Sequence, residues 1–442
     1  MALAHLTLRR DPLDVLACLA DEPGAFLLEV PDPVHPAAIL GCRPVAELRI
    51  GAGDHDPAGA IARFVGAAPR PADGLAFPLA GGAVACLSYE LGVDLAPRRI
   101  RHATVDPLAV LRHYDPVLVF DRRRSQYALA SSTRAAARAP WLDHLSRPAP
   151  AWHGSLGAAP LAATMPAEQY RAAVRRILAY LAAGDCYQVN LTQPFIAPLA
   201  GPAWALLDRL ARRHPAPYTG YLDLDGAVVV ANSPELFLRR RGRRVETRPI
   251  KGTRPRADHA DGDVARVAEL RRDPKERAEH VMIVDLERND LGRVCEPGSV
   301  RVESLAGVET HPSLHHLVSI VSGMLCDGVG LGALLAATFP GGSITGAPKV
   351  RAMEIIAELE THPRGVYTGA LGLIAPSGDL ELGLPIRTAV VADRRVRWHA
   401  GGGIVADSDP ERELAEAWLK TAALRLALGE RPGAELDRCS SG

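Results

Sequence analysis

Four glutamates and a lysine stand at helical spacing in two short stretches of this 442-residue chain. In PKERAEHVMIVDLERND, Glu276 and Glu279 lie three apart; in ERELAEAWLKTAAL, Glu413, Glu416 and Lys420 follow at i, i+3 and i+7. On α-helices each set shares one face. Two acidic pairs on two helices suit a hard cation such as Mg2+, kept partly hydrated and completed by a substrate carboxylate. They equally suit the solvated faces of amphipathic helices. A different chemistry is offered by SPELFLRRRGRRVETRPIKGTRPR (233–256), where Lys251 sits between Ile250 and Gly252 amid arginines. Of the 51 basic residues only Lys251, Lys275, Lys349 and Lys420 are lysine, and the remaining 47 are arginine. A lysine amine can lose its proton and attack as a nucleophile, whereas a guanidinium stays charged. Glu235 precedes the same hairpin and could stand as an acid near the same cavity. A carboxylate nearby keeps Lys251 charged, while burial favours the free amine. A surface lysine in a basic turn is the plain alternative.

Two glycine-rich stretches could approach a ligand. GGSITGAPKVRAMEII (341–356) lacks the GK[ST] ending of a phosphate loop, because Ala347 and Pro348 separate Gly346 from Lys349. Pro348 at the start of a helix suggests a loop pinned against an anion or carbonyl, or simply a tight turn. HAGGGIVADS (399–408) exposes backbone N–H donors where side chains are missing; a glycine bulge at a sheet edge has the same pattern. The arginine run 239–244 is followed by Glu246, Asp258, Asp261 and Asp263 and has no aromatic interleaving. It reads as solvated hairpin flanks rather than a nucleic-acid contact.

These residues need a scaffold. Residues 1–145 read as short strands and turns (25–30, 83–92, 116–132), and 146–165 as a Pro/Gly/Ser-rich linker or crossover. A catalytic region follows at 166–428, then a tail at 429–442. Thr164 could cap a helix at 167–183 that places Tyr170, Val174, Ile177, Leu178 and Leu181 near one face. Further helices are expected at 275–289, 313–325, 331–338, 348–359 and 410–428. Strands are expected at 186–195, 218–224, 227–233, 235–241, 243–249, 366–375, 382–392 and 395–405. Hairpin-like succession of strands favours an α+β fold with antiparallel or mixed sheets over a Rossmann fold. Basic and acidic residues balance at 51 each, which gives no bulk attraction to nucleic acid or an anionic membrane. No run of 18 apolar residues spans a membrane, and charges interrupt the first residues before any signal-peptide core forms. Seven scattered cysteines without a CxxC pair fit a reduced, cytoplasmic chain.

From 184 to 420 the motifs are long and ordered: GDCYQVNLTQPF, SPELF, ETRPIKGTRPR, ERAEHVMIVDLERNDLGRV, HHLVS, FPGGSITGAPKVRAMEII, YTGALG, IRT and AGGGIVADSDPERELAEAWLK. This series resembles the chorismate-binding enzymes, which include anthranilate, aminodeoxychorismate, isochorismate and salicylate synthases. The resemblance implies one large two-sheet α+β sandwich with helices packed outside. Anthranilate synthases read PIAGT and aminodeoxychorismate synthases PIKGT; Lys251 places this chain with the second branch. The implied reaction replaces the C4 hydroxyl of chorismate with ammonia, toward 4-aminobenzoate and folate; the alternative is anthranilate synthase component I. By resemblance Lys251 is the nucleophile at C2, Glu235 the acid for the leaving hydroxyl, and His316 lies near the ring carboxylate or that hydroxyl. Thr253 lines the ring pocket. Tyr367, Arg387 and the Gly401, Gly402 and Gly403 backbone hold the enolpyruvyl side. Glu279 and Glu416 bind Mg2+ with Glu276 and Glu413 close by, and Lys420 serves the metal and carboxylate end. The sequence has no GxCxG nucleophile elbow, so ammonia is expected from a glutamine amidotransferase (glutaminase) partner or from free ammonium. Two departures stand out. Val30 replaces the serine of the family's LLES tryptophan motif, and Pro385 sits close to Arg387.

Overall fold

A computed structural model describes residues 2–6, 8–68, 77, 79–96, 100, 105, 107–132, 139–257, 259–311 and 314–430. The tail beyond Glu430, Cys439 and the Lys275 side chain therefore lie outside the described residues. Short apolar and β-branched segments such as AVACL (Ala83–Leu87) and VVVANS (Val228–Ser233) pair into two antiparallel sheets, of twelve and ten strands. Phe26, Leu28 and Val229 of the first sheet share one apolar layer with Val84, Cys86 and Leu371 of the second, so the sheets pack face to face. Helices cover the outside. Ala167–Ala182 buries Tyr170, Val174 and Ile177, with Leu178 and Leu181 half-buried. Its N-cap is Pro166; the Thr164 hydroxyl instead donates to the Pro194 carbonyl at 3.0 Å.

Both sheets draw on early and late parts of the chain. Phe26–Val30 pairs with Tyr218–Asp223 in the larger sheet, and Ala83–Leu87 pairs with Ala370–Ile374 in the smaller. Seven elements carry the candidate site: β1 (Gln188–Pro198), β2 (Leu236–Arg241), β3 (Ile250–Pro255), α1 (Pro274–Gly292), β4 (Leu314–Met324), β5 (Arg395–Ile404) and α2 (Pro410–Leu419). β5 lies inside the larger sheet, between β1 and Thr388–Ala392.

The chain passes between sheets at two places that matter. Val228–Ser233 belongs to the larger sheet and β2 to the smaller, so Pro234 and Glu235 form the crossing. Leu380–Gly383 belongs to the smaller and Thr388–Ala392 to the larger, so residues 384–387 cross back. The crossings are stitched together: Leu384 N–H donates to the Glu235 carbonyl at 2.9 Å, and the Ser233 hydroxyl to the Leu384 carbonyl at 2.5 Å. Arg387 turns this corner at φ +49°, in the region that non-glycine residues seldom adopt. Pro385 is accommodated, its carbonyl accepting from Thr368 N–H at 3.0 Å.

Several elements differ from expectation. The helix expected at 313–325 is strand β4, paired along one edge with Arg244–Arg248 and then β3, and along the other with Arg301–Thr310. Its residues Leu317, Val318, Ser319 and Val321 are buried on both faces, which removes the alternation that marks a half-exposed strand. The strand expected at 366–375 is confined to Ala370–Ile374, leaving Tyr367 on a turn. The strand at 382–392 is two strands in different sheets, and the helix at 410–428 is divided into α2 and Ala422–Leu428.

Candidate active site

Glu235 is buried, and burial pushes its carboxyl up to about 7 against the opposing pull of the Ser343 hydroxyl, the Lys251 charge and the Ile250 N–H. The Ser343 hydroxyl donates to Glu235 Oε1 at 2.6 Å, and Lys251 Nζ donates to the Ser343 carbonyl at 3.1 Å. The Lys251 amine lies below its ordinary pKa, first through desolvation. The charges of Glu279, Glu235 and Glu416 oppose that shift, and Lys420 adds to it. An acid that holds its proton near neutrality thus stands beside an amine biased toward its free form.

The path of β3 follows from Gly252. It turns at φ +71°, and a Cβ there would stand 3.0–3.2 Å from Leu270, Leu317 and Glu276 Oε2. The register against β4 shifts at this point, so Lys251 faces Leu317 and Thr253 faces His316. The exposed Thr253 hydroxyl and the buried His316 Nδ1 lie 2.8 Å apart. Burial, with help from the Arg387 and His311 charges, lowers His316 to about 3, so its ring is neutral. The Arg387 guanidinium is half-buried and has no protein hydrogen bond or ion pair among the described residues; desolvation lowers its pKa. A desolvated, unpaired guanidinium suits a carboxylate. Tyr367 is buried and stacks on His399, the rings 5.2 Å apart at 18°; burial holds its phenol well above the ordinary range, as a neutral donor.

The acidic pairs occupy the other end. A Cβ on Gly402 would stand 3.2 Å from Glu413 Oε2, 3.3 Å from Glu416 Oε1 and 3.7 Å from Lys420 Nζ, so the missing side chain makes the cradle in which these groups meet. Lys420 Nζ reaches Glu416 Oε1 and the Gly401 carbonyl, both at 2.7 Å, and the Ser408 hydroxyl donates to Glu413 Oε1 at 2.6 Å. On α1, Glu276 takes a 3.4 Å bond from Arg254, while Glu279 acts on Lys251. Among the described residues no group of three or more His, Cys, Asp or Glu side chains is already gathered as a metal cage. The donors are nonetheless hard oxygens, set as two pairs that both act on the Lys251 amine. That fits a Mg2+ ion taking one or two carboxylates and keeping its waters.

Three neighbours were not singled out from sequence. Ser343 and Glu287 lie behind Glu235 and Lys251: Thr247 donates to Glu287 Oε2 at 3.0 Å, and burial, with the Glu235 charge next, lifts Glu287 to about 8. Gln188 is fully buried, with both amide atoms unpartnered, and its Nε2 would be 2.0 Å from a Cβ on Gly403. The 341–349 loop is pinned as Pro348 suggested, though by lysine: Lys349 Nζ donates to the Thr338 and Pro340 carbonyls at 3.0 and 2.8 Å and to Asp290 at 2.5 Å. Near Val30, a cavity lined also by Leu28, Tyr218 and Glu381 has about 10 Å³, room for one water at most. The larger hollows, of about 470 and 720 Å³, lie on Ala260–Arg272 and on the outer side of α1, away from Lys251. Among the described residues no helix is long and apolar enough to cross a membrane.

In this two-sheet α+β body an acid, an amine and a guanidinium without a partner among the described residues stand at the seam between the sheets, an arrangement that suits an anionic small molecule. The family described as chorismate binding enzyme matches residues 24–425, and the chain belongs to that family. Aminodeoxychorismate synthase component 1 of Klebsiella aerogenes is 43% identical over 350 residues, 78% of this chain and 76% of that protein. Anthranilate synthase component 1 of Thermus thermophilus is 44% identical over 362 residues, 79% and 78%. The crystal structure of anthranilate synthase component I from Streptococcus pneumoniae superposes with a TM-score of 0.78 at 29% identity, covering 89% of this chain and 93% of that one.

Proposed function

We propose that this chain is an aminodeoxychorismate synthase component I, which converts chorismate and ammonia to 4-amino-4-deoxychorismate. Overall identity favours neither branch, since relatives of both kinds stand near 43–44%. The observation that carries the reading is Lys251, its amine biased toward the free form and held one residue, Ser343, away from a protonated Glu235.

In this mechanism the Lys251 lone pair attacks C2 of the ring. The ring double bonds shift, the C4–O bond breaks, and Glu235 supplies the proton with which the hydroxyl leaves as water. Ammonia then forms the C4–N bond, Lys251 leaves C2 with its electron pair, and the Glu235 carboxylate recovers a proton from the new ammonium. The sum is chorismate plus ammonia giving aminated product plus water, with the enolpyruvyl ether kept. Arg387 grips the enolpyruvyl carboxylate, with Tyr367 and the backbone of Gly401, Gly402 and Gly403 beside it, while Thr253 and neutral His316 border the ring. Glu279 and Glu416, with Glu276, Glu413 and Lys420 nearby, would hold Mg2+, which when bound would supply positive charge to offset that of the ring carboxylate beside the attacked carbon. A glutaminase partner supplies ammonia, and free ammonium can replace it in vitro. All these residues fall within 166–428, which we take as the catalytic region of a cytoplasmic enzyme.

Chorismate incubated with the chain, Mg2+ and ammonium should yield a product that retains the enolpyruvyl group. Immediate anthranilate fluorescence with pyruvate release would establish the anthranilate synthase reading instead.

A further inference from the structure

The turn at 341–345 comes between the general acid and the nucleophile, and one residue of it touches both. Ser343 is buried; its hydroxyl donates to Glu235 Oε1 at 2.6 Å while its carbonyl accepts from Lys251 Nζ at 3.1 Å. The rest of the turn is fixed around it. Thr345 Oγ1 donates to the Gly341 and Gly342 carbonyls at 3.0 and 3.3 Å, and Arg364 Nη1 to the Ile344 carbonyl at 2.8 Å. Gly342 packs so tightly on α1 that a Cβ would stand 3.0 Å from Leu286 and 3.3 Å from Glu287 Cγ. The turn has little room to move, and Ser343 inherits that rigidity.

We propose that Ser343 is a positioning residue that aims both reacting groups at once. With Ser343 donating to Oε1, the acid proton of Glu235 resides on Oε2, where it is free for the leaving hydroxyl. With one N–H of Lys251 spent on the carbonyl, the amine lone pair is turned away from the turn and toward the ring. One residue thereby keeps the proton donor and the electron-pair donor in register. The inference rests on the proposed amination reaction.

Ser343→Ala keeps the carbonyl and removes only the hydroxyl. The other groups acting on or facing Glu235 are Lys251 on β3, the Ile250 N–H, Glu287 on α1 and Tyr367. None of them is altered. A hydroxyl donating to a carboxylate stabilises the charged form, so its loss raises the Glu235 pKa. Activity needs the proton and is lost as pH rises through that pKa; the alkaline limb of kcat should therefore move up by about one pH unit. At pH 6.5, with Mg2+, chorismate and ammonium, kcat should fall about 10- to 100-fold while KM for chorismate stays within about twofold. Ser343→Thr, which retains the hydroxyl, should keep the wild-type limb and most of kcat. An alkaline limb that stays in place in Ser343→Ala, or a loss of kcat matched by Ser343→Thr, would overturn the proposal. If the wild-type chain itself gives no aminated product, it is the proposed function that fails.

Discussion

At one end of the candidate site Glu235 and Lys251 are fixed through a buried serine by bonds of 2.6 and 3.1 Å; at the other, Glu416 and Lys420 are both exposed and pair at 2.7 Å across the surface of α2. The first end is complete before any ligand arrives. Its proton donor and amine are desolvated and oriented, so chemistry there needs little rearrangement. The second end has its charges in two separated pairs, and in the proposed function it would leave the geometry to the ion and the substrate carboxylate. Surface ion pairs such as Glu416–Lys420 contribute little to folding, so those carboxylates can be exchanged between partners at small cost. The contrast separates what the protein must hold rigid, a proton and an electron pair, from what a hydrated cation can organise by itself.

The strongest way to break this contrast is at the amine. Lys251→Ala should reduce formation of aminodeoxychorismate by at least about 10³-fold with the fold intact, because the covalent route is lost. Some anthranilate formation could be uncovered in the variant, since PIAGT is the other branch's pattern. Aminated product formed at a rate within tenfold of wild type would remove Lys251 from the mechanism. A smaller effect should separate the two ends. Glu416→Gln should raise the Mg2+ concentration for half-maximal activity by about 10- to 100-fold. The melting temperature without Mg2+ should stay within about 1 °C of wild type, as expected for an exposed pair. A large loss of stability without metal would show that this end is as structural as the other.

The smallest effect concerns what a dry catalytic end costs the fold. Burial lifts Glu287 to about 8, so the folded chain holds that proton more tightly than the unfolded chain does. Ionising it therefore destabilises the fold progressively as pH rises from the ordinary carboxyl range toward 8. Glu287→Gln should raise the melting temperature at pH 8.5 by about 2 °C and by less at pH 5.5. An equal gain at both pH values would mean that packing, and not ionisation, explains it.

The same division decides what could be read from the sequence. Lys251 was visible as one of four lysines among 47 arginines, and the acidic pairs were visible as helical spacing on α1 and α2. The α+β class followed from the succession of strands, and the two-sheet sandwich from the family motifs. The strand nature of β4 was missed because it is buried on both faces, although Val318, Ile320 and Val321 are β-branched residues that favour strands. His316 was therefore placed by its motif but on the wrong element. Ser343 and Glu287 carried no signal of their own. Their importance arises from contacts 108 residues away, to Glu235, and 40 residues away, to Thr247, which no local pattern encodes. Arg387 was singled out from IRT, but its left-handed corner, and its lack of a partner among the described residues, belong to the crossing between sheets.

The position of β5 has a further consequence for how the molecule comes into being. A ribosome releases the chain from its N-terminus, and residues 395–404 emerge after every other strand of both sheets. Until then β1 and Thr388–Ala392 face an open slot toward one end of the larger sheet, with unpaired backbone on both sides. The nascent chain must keep those open edges of the larger sheet from pairing with neighbouring chains until that slot is filled, which is the risk of slow, non-local β pairing. The glycines that cradle Glu413 and Glu416 arrive with this closing strand. Catalytic competence is thus among the last properties the polypeptide acquires during its synthesis.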